Sequence, residues 1–340
     1  MFEILLVTFP FFALVLCGYV AVRRNLLPTL AIPALNTFVL FFALPCLLYR
    51  FGATTPIAQS LDPSVLAVYL ACALVMVGLT IRLTLSPRIR WKDAAFGALV
   101  AAFPNTGFMG VPLLVKLLGN VAAGPAIAML LVDMVVTSSL CIALSQLDSL
   151  DEHGTRHAAG KALRGVLINP MPWSILLGAT SSALGVLPPG PVMQTIGLLA
   201  DAASPVALFT IGAVLARAQM SANAATPSRD FLPVVAEKLL LHPLLVLGAG
   251  TLAIHAGMPL DRFALTVMVL VAALPSASNV VILAEKFAAD SGRIARIILV
   301  STALAFLTFS GAATLLVGSC PRAPEAHGGA CGPQGSAARS

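Results

Sequence analysis

The sequence predicts an all-α polytopic membrane protein with ten transmembrane helices in two inverted five-helix repeats, whose fourth and ninth helices are broken. Of its 340 residues, 59% are hydrophobic and 10% are charged, against about 25% charged residues in an ordinary soluble domain. A membrane-spanning helix needs roughly 20 apolar residues. The apolar residues therefore suffice for about ten crossings, and prolines recur at matching places in the two halves.

Composition also excludes several classes of protein. A mean hydropathy of +0.96 leaves too few polar residues to cover a soluble globule of this size, which excludes a soluble enzyme and a disordered protein. The net charge of +6 is spread over loops without a basic patch, so no nucleic-acid partner is expected. The six cysteines lack the spacing of metal ligands, so we expect neither a metal site nor another cofactor.

Apolar windows define ten predicted spans, and one polar interruption separates them into two sets of five. The longest polar segment, 148–164, is predicted to be a loop between a first repeat (1–147) and a second repeat (165–318), and 319–340 is predicted to be a disordered tail. The predicted spans are 2–22, 32–51, 65–85, 94–118, 122–147, 166–184, 192–216, 232–255, 263–288 and 294–317.

The basic residues predict the orientation in the membrane. When the loops are assigned alternately to two sides, fifteen Lys and Arg residues lie on one side and five on the other. Because cytoplasmic loops are enriched in Lys and Arg, the first side is cytoplasmic. Loop 148–164 is then cytoplasmic, and both termini are periplasmic in a bacterial inner membrane.

The two halves show a weak internal similarity that predicts inverted repeats. With five spans per half, a homologous second half must lie upside down relative to the first. Leu44-Pro45 in the second span corresponds to Ser204-Pro205 in the seventh, and Pro104 in the fourth corresponds to Pro275 in the ninth. Inverted repeats with interrupted helices at matching positions are typical of secondary transporters, and the interruptions indicate the binding site.

The fourth span contains the first interruption, residues 103–112 (FPNTGFMGVP). Proline removes a backbone donor and bends the residue before it out of helical geometry. Broken backbone at membrane depth is tolerated only inside protein or beside a water-filled cavity. Asn105 or Thr106 is expected to cap a second half-helix, whose free N–H groups attract an anion. The alternative is a kinked helix with a structural role only.

The ninth span repeats this chemistry at residues 275–279 (PSASN), where Ser276 and Ser278 are expected to cap the following half-helix. Two interruptions at matching positions favour a shared site near the membrane midplane over two structural kinks. The predicted substrate-binding residues are Pro104, Asn105, Thr106, Gly107, Pro275, Ser276, Ser278 and Asn279.

Isolated ionisable residues inside apolar spans are candidates for ion coupling or for support of the site, since such residues are costly in a membrane. They are Asp133 in the fifth span, Asp201 in the seventh and His242 in the eighth. The alternative for Asp133 is a satisfied buried polar group. Glu237, Lys238 and Lys116 lie near predicted span ends, where long side chains are expected to reach the interface.

Four stretches carry a resemblance to a known family: 35–45 (LNTFVLFFALP), 103–112, 204–212 (SPVALFTIG) and 277–284 (ASNVVILA). They resemble the bacterial malonate and malate permease branch of the auxin efflux carrier family, and the resemblance covers about residues 2–317. It implies a crossover at Pro104 and Pro275, with Asn105 and Asn279 lining the site. It also implies an often dimeric scaffold of spans one, two, six and seven. The remaining spans would form a mobile transport unit.

The sequence therefore predicts a secondary active transporter of small organic acid anions, which works by alternating access of the elevator type. Its expected partners are the organic anion, a coupling proton or sodium ion, the lipid bilayer and a second copy of the chain. One rival hypothesis is a cation/proton antiporter or sodium-coupled symporter of similar fold. Another is an intramembrane enzyme, which the absence of P-loop, H-E-x-x-H and G-x-S-x-G motifs disfavours.

Overall fold

The computed structural model describes residues 2–54, 62–145, 170–221 and 227–317. The predicted loop 148–164 and the predicted tail 319–340 lie outside these residues. Within the described ranges the chain is helical, and its β-type pairing is one isolated antiparallel bridge between Pro104 and Ser276. The all-α prediction is confirmed for this part of the chain.

The described residues of the first half form eight α-helices, and π-helical turns lie at Val39–Ala43, Thr106–Gly110 and Asp133–Thr137. The helices are α1 (Phe2–Arg23), α2 (Ile32–Phe38), α3 (Leu44–Thr54), α4 (Pro63–Thr84), α5 (Trp91–Ala102), α6 (Val111–Leu118), α7 (Ala123–Val132) and α8 (Ser138–Ser145).

Seven α-helices lie in the part of the second half that the structure describes, with a π-helical turn at Glu237–Leu241 between α11 and α12. The helices are α9 (Pro170–Leu184), α10 (Gly190–Ser221), α11 (Ser228–Ala236), α12 (His242–His255), α13 (Arg262–Ala272), α14 (Asn279–Lys286) and α15 (Ser291–Val317).

Seven stretches of the described residues are long and apolar enough to cross a membrane. They are Leu6–Arg23, Thr29–Ala53, Pro63–Thr84, Asn120–Ser145, Gly190–Arg217, Ser228–His255 and Ser291–Leu316. Three shorter apolar stretches are Thr106–Leu118, Trp173–Leu184 and Arg262–Ala272. These stretches make the chain a multi-pass membrane protein, while its division into ten crossings stays a prediction.

Two helix pairs pack so closely that only glycine fits at their contacts. A Cβ atom on Gly18 of α1 would lie 1.8 Å from the Phe209 carbonyl oxygen of α10. A Cβ atom on Gly178 of α9 would lie 2.4 Å from the Tyr49 carbonyl oxygen of α3. Small residues allow such close backbone approach between helices in a membrane.

The centre of the protein contains α5 and the second half of α13. All residues at 94–103 and 267–278 are buried. The two predicted interruptions at Pro104 and Pro275 therefore lie inside protein, the environment in which broken backbone is tolerated at membrane depth. This placement brings both interruptions to the functional site described next.

Candidate functional site

The first interruption is a short non-helical segment between α5 and the π-helical turn that leads into α6. Helix α5 ends at Ala102, and Phe103 is extended with φ −100° and ψ 97°. Asn105 occupies the N-cap position of the π-helical turn, and its backbone carbonyl accepts from the N–H groups of Met109 (3.1 Å) and Gly110 (3.0 Å). Its side chain makes no capping hydrogen bond. The predicted side-chain cap is wrong for Asn105, and its amide remains available for another partner.

The second interruption lies between the end of α13 at Ala272 and the start of α14 at Asn279. Two side-chain oxygen atoms in this segment, Ser276 Oγ and Asn279 Oδ1, are buried without a hydrogen-bond partner. A buried unsatisfied polar group is unusual in a native structure and requires an explanation, such as a missing ligand or water.

The two interruptions meet through their backbones, and we call residues 103–106 and 275–279 together the junction. The Asn105 N–H donates to the Pro275 carbonyl oxygen at 2.8 Å, and the Ala277 N–H donates to the Phe103 carbonyl oxygen at 3.0 Å. These bonds satisfy backbone groups that the helix breaks release, which stabilises the junction inside the protein.

A cavity of about 20 Å³ opens beside the junction, which is room for about one water molecule. It is lined by Leu44, Phe103, Pro104, Asn105, Thr106, Gly107, Phe108, Leu130, Met134, Ala277 and Asn279. The cavity thus brings together five of the eight predicted substrate-binding residues. Pro275, Ser276 and Ser278 do not line it. The Ser276 N–H instead donates to Ser301 Oγ of α15 at 3.4 Å.

The cavity wall has the chemistry of a weak anion site. The first N–H groups of a helix have no intrahelical acceptor and carry partial positive charge, which applies to Gly107 and Phe108. The polar residues Asn105 and Asn279 also line the cavity. No lysine or arginine lines the cavity among the described residues. Neutral dipoles therefore supply the attraction for an anion.

A buried carboxylate lies near this cavity in the π-helical turn between α7 and α8. Asp133 is fully buried, and its Oδ2 atom accepts from the Tyr69 hydroxyl at 2.8 Å. Its Oδ1 atom accepts from Thr137 Oγ1 at 3.2 Å. Met134, the next residue along the chain, lines the cavity. Asp133 is thus hydrogen-bonded inside protein and does not face lipid.

A buried lysine lies in the π-helical turn of the second half. Lys238 is fully buried, and its Nζ atom is 3.0 Å from His242 Nδ1 and donates to the Ala272 carbonyl oxygen at 2.9 Å. The His242 ring stacks on the Tyr69 ring with 6.0 Å between centroids. The charges of Lys238 and Asp133 interact electrostatically. We call Tyr69, Asp133, Lys238 and His242 the buried polar cluster.

The prediction that Glu237 and Lys238 reach the membrane interface is wrong. Lys238 is 0% exposed and Glu237 is 7% exposed, because the first three residues of the π-helical turn Glu237–Leu241 are buried. Glu237 Oε2 accepts a hydrogen bond from Thr80 Oγ1 at 2.6 Å. Lys116, by contrast, is exposed near the end of α6.

Sequence reasoning missed Lys238 and Tyr69 as members of the buried polar cluster. The four-residue spacing of Lys238 and His242 places both on one helix face, which is a usable signal. Tyr69 gave no comparable signal, because its partner Asp133 is 64 positions away.

The candidate Asp201 lies apart from the junction and from the buried polar cluster. It forms an ion pair with Arg50 at 2.7 Å, and 70% of its side chain is exposed. The structure therefore unites two of the three ionisable candidates, Asp133 and His242, through Tyr69 and Lys238.

A family model described as "Membrane transport protein" matches residues 4–312 of the chain. The chain belongs to this membrane transport family. The match covers both halves, the junction and the buried polar cluster, and it confirms the resemblance to auxin efflux carriers that the four stretches indicate.

Similar proteins of the family come from bacteria. The chain is 29% identical over 317 residues to "Putative malonate transporter" of Rhizobium meliloti (strain 1021), covering 92% of this chain and 95% of the relative. It is 30% identical over 284 residues to "Uncharacterized transporter YfdV" of Escherichia coli (strain K12), covering 82% of this chain and 86% of the relative. A protein of the same name in Shigella flexneri is also 30% identical over 284 residues.

Proposed function

We propose that this membrane transport protein is a secondary active transporter of small organic acid anions, with malonate and malate as the first substrates to test. The observation that carries the proposal is the cavity at the junction. Two asparagines and the first residues of the π-helical turn line it, and no basic side chain among its lining residues would hold an anion tightly. A carrier needs such loose binding, because it must release what it binds. The name of the Rhizobium meliloti relative supports malonate as a substrate.

The helix packing supports a division into a scaffold and a transport unit. In two inverted repeats of five spans, the contact of span one with span seven is equivalent to that of span six with span two. The close glycine contacts follow this pattern, since Gly18 of α1 meets α10 and Gly178 of α9 meets α3. We assign α1–α3 with α9 and α10 to the scaffold, and α4–α8 with α11–α15 to the transport unit. Movement of this unit past the scaffold is the proposed elevator step.

The proposal also covers the arrangement in the membrane. We propose ten crossings, periplasmic termini, an inner-membrane location and a homodimer formed through the scaffold. The exposed apolar side chains of Trp173 (48%), Leu176 (55%) and Leu177 (62%) on α9 suit a lipid or protein neighbour.

The buried polar cluster is the proposed coupling device. Lys238 bonds to the carbonyl oxygen of Ala272, the last residue of α13, three positions before Pro275. A proton or sodium ion at Asp133 would weaken the electrostatic attraction between Asp133 and Lys238. The hydrogen bond from Lys238 to Ala272, next to the junction, would change as a result. Binding of the coupling ion and of the substrate would then be linked through one chain of contacts. In the alternative role, Asp133 supports the junction without exchanging an ion.

Uptake into proteoliposomes tests both the substrate and the coupling. Purified protein is reconstituted, and uptake of labelled malonate, malate and acetate is measured without a gradient, with a proton gradient and with a sodium gradient. We expect saturable uptake of a dicarboxylate. We also expect one of the two ion gradients to drive its accumulation. Protein-dependent uptake of sodium or of protons without any organic acid would favour the antiporter instead.

The Asp133→Asn variant separates coupling from support, because it keeps the shape and removes the charge. If Asp133 couples transport to an ion, the variant is expected to lose gradient-driven accumulation and to retain counterflow exchange. If Asp133 only supports the junction, the variant is expected to lose both activities. Unchanged accumulation and pH dependence would contradict the coupling role, and full activity of Asp133→Ala would contradict the supporting role as well.

A further inference from the structure

A groove of about 360 Å³ lies between α12 and α13 and reaches the end of α15. Its volume lies within the range of about 300–1,000 Å³ that small-molecule sites occupy. The apolar part of its lining consists of Leu247, Ile254, Leu265, Val269 and Leu316. The groove shares no lining residue with the cavity at the junction, so it is separate from the candidate substrate site.

Two threonines complete the walls of the groove without adding hydrogen-bond donors to it. Thr251 Oγ1 donates to the Leu247 carbonyl oxygen at 2.8 Å, and Thr266 Oγ1 donates to the Arg262 carbonyl oxygen at 3.0 Å. A hydroxyl group carries only one hydrogen, so both threonines have used theirs within their own helices. The interior of the groove therefore suits a hydrocarbon chain better than a polar solute.

One end of the groove is basic. His255 is the last residue of α12 and Arg262 is the first residue of α13, and both are exposed. Arg262 forms no ion pair with another residue of the described ranges. The neighbouring Asp261 carboxylate instead caps α13, accepting from the N–H groups of Phe263 (3.1 Å) and Ala264 (3.3 Å). The charge of Arg262 is therefore available to an anionic group.

The other basic residue has one ring nitrogen available. His255 Nδ1 lies 2.7 Å from the Thr251 carbonyl oxygen, and because a carbonyl only accepts, Nδ1 is the donor. The second nitrogen, Nε2, forms no hydrogen bond with another described residue. It can accept from a hydroxyl group when the ring is neutral, and it can donate to a phosphate oxygen when the ring is protonated.

The length of the groove matches the depth of a lipid monolayer. Eight residues separate His255 from Leu247, and seven separate Arg262 from Val269. At 1.5 Å per residue the apolar lining extends about 10–12 Å from the basic helix ends. The hydrocarbon layer of one leaflet is about 15 Å deep, half of the bilayer core. The groove therefore places a charged site at the membrane surface and an apolar channel beneath it.

We propose that this groove binds an anionic phospholipid, with its phosphate at Arg262 and one acyl chain along the apolar lining. A soluble anion would leave the apolar lining without a partner, and a lipid without net charge would leave the charge of Arg262 uncompensated. The bound lipid would contact the ends of α12, α13 and α15, three helices of the proposed transport unit. This inference does not depend on which substrate the protein transports.

Lipid binding to the purified full-length protein tests the charged end. The protein in detergent micelles is given equal amounts of phosphatidylglycerol and phosphatidylethanolamine, and native mass spectrometry counts the lipids retained. The wild-type protein is expected to retain phosphatidylglycerol in preference. Arg262→Gln is expected to reduce this preference about fivefold, the size expected for one basic side chain at an anionic membrane surface. Arg262→Lys is expected to keep it. Lys116→Gln, at an exposed lysine in the last turn of α6, is the matched control.

Filling the groove tests the apolar part. Leu247→Phe, at the end far from Arg262, is expected to displace about two methylene groups of the acyl chain and to weaken phosphatidylglycerol binding roughly tenfold. Leu244→Phe is the control on the same helix, because Leu244 is 63% exposed and does not line the groove. If Leu247→Phe is not recovered as folded protein, Ile254→Phe fills the groove nearer its basic end.

Three results would overturn the proposal. The first is equal retention of the two lipids by the wild-type protein. The second is a preference for phosphatidylglycerol that Arg262→Gln leaves unchanged or that Lys116→Gln reduces equally. The third is displacement of phosphatidylglycerol by an equal concentration of sn-glycerol 3-phosphate, which would make the groove a site for soluble anions. None of these results concerns malonate uptake, so each would leave the proposed transport function standing.

Discussion

Replacing Lys238 by methionine removes a fully buried amino group and leaves a side chain of similar length. Two contacts of Nζ are lost, to His242 Nδ1 at 3.0 Å and to the Ala272 carbonyl oxygen at 2.9 Å. Asp133 also loses its electrostatic interaction with the Lys238 side chain. Leaving a buried hydrogen-bond acceptor without its donor typically costs about 1–3 kcal/mol. We expect Lys238→Met to lower the free energy of unfolding by that amount and to reduce malonate uptake.

A double-mutant cycle measures how much of this loss of stability comes from the interaction between Lys238 and Asp133. Asp133→Asn removes the opposite charge, so the double variant is expected to be more stable than the sum of the single effects by about 0.5–3 kcal/mol. The assay is equilibrium unfolding of purified protein in mixed micelles, followed by far-ultraviolet circular dichroism. Lys116→Met is the control at an exposed lysine, with an expected change within about 0.5 kcal/mol. Strict additivity of the two substitutions, or a loss equal to that of the control, would refute the coupling of Asp133 with Lys238.

Two further predictions concern the scaffold and the topology. Gly212→Leu is expected to destabilise the protein by about 1–3 kcal/mol, because a Cβ atom there would lie 1.8 Å from the Val15 carbonyl oxygen; Gly248→Leu, with nothing within 4 Å of its Cβ position, is the control in the same unfolding assay. A cysteine introduced at Ser149 is expected to react with a membrane-impermeant maleimide only after the membrane is disrupted, and labelling in intact cells above the background of native cysteines would contradict a cytoplasmic loop.

The interruptions could be predicted from the sequence because their cause is local. Proline at positions 104 and 275 removes a backbone donor and disturbs the residue before it, whatever the rest of the chain does. Pro104 and the residues that follow the two prolines include five of the cavity-lining positions, which the sequence therefore identified. The contact between the two interruptions is not local, and the sequence indicated it only through the matching positions and the family resemblance.

The positions of the other residues around the site depend on packing between distant parts of the chain, which the sequence does not show. Lys238 lies near the end of a predicted span, where exposure was expected, yet the first three residues of its π-helical turn are buried. Ser276 carries the right chemistry, but the bridge to Pro104 places it beside Ser301 instead of the cavity. Leu44 reads as an ordinary apolar residue, and only the fold brings it opposite Gly107.

The most direct test of this account measures malonate uptake by the Asn105→Ala and Asn279→Ala variants in proteoliposomes. Both residues line the cavity. The Asn105 side chain makes no capping hydrogen bond, and Asn279 Oδ1 has no hydrogen-bond partner in the protein. Asn120→Ala is the matched control at an exposed asparagine outside the site. At matched amounts of reconstituted protein, uptake is expected to fall at least tenfold in the two site variants, as loss of about 1.4 kcal/mol of binding implies, and to stay at the wild-type level in the control. Wild-type uptake in both site variants would contradict the assignment of the junction as the substrate site.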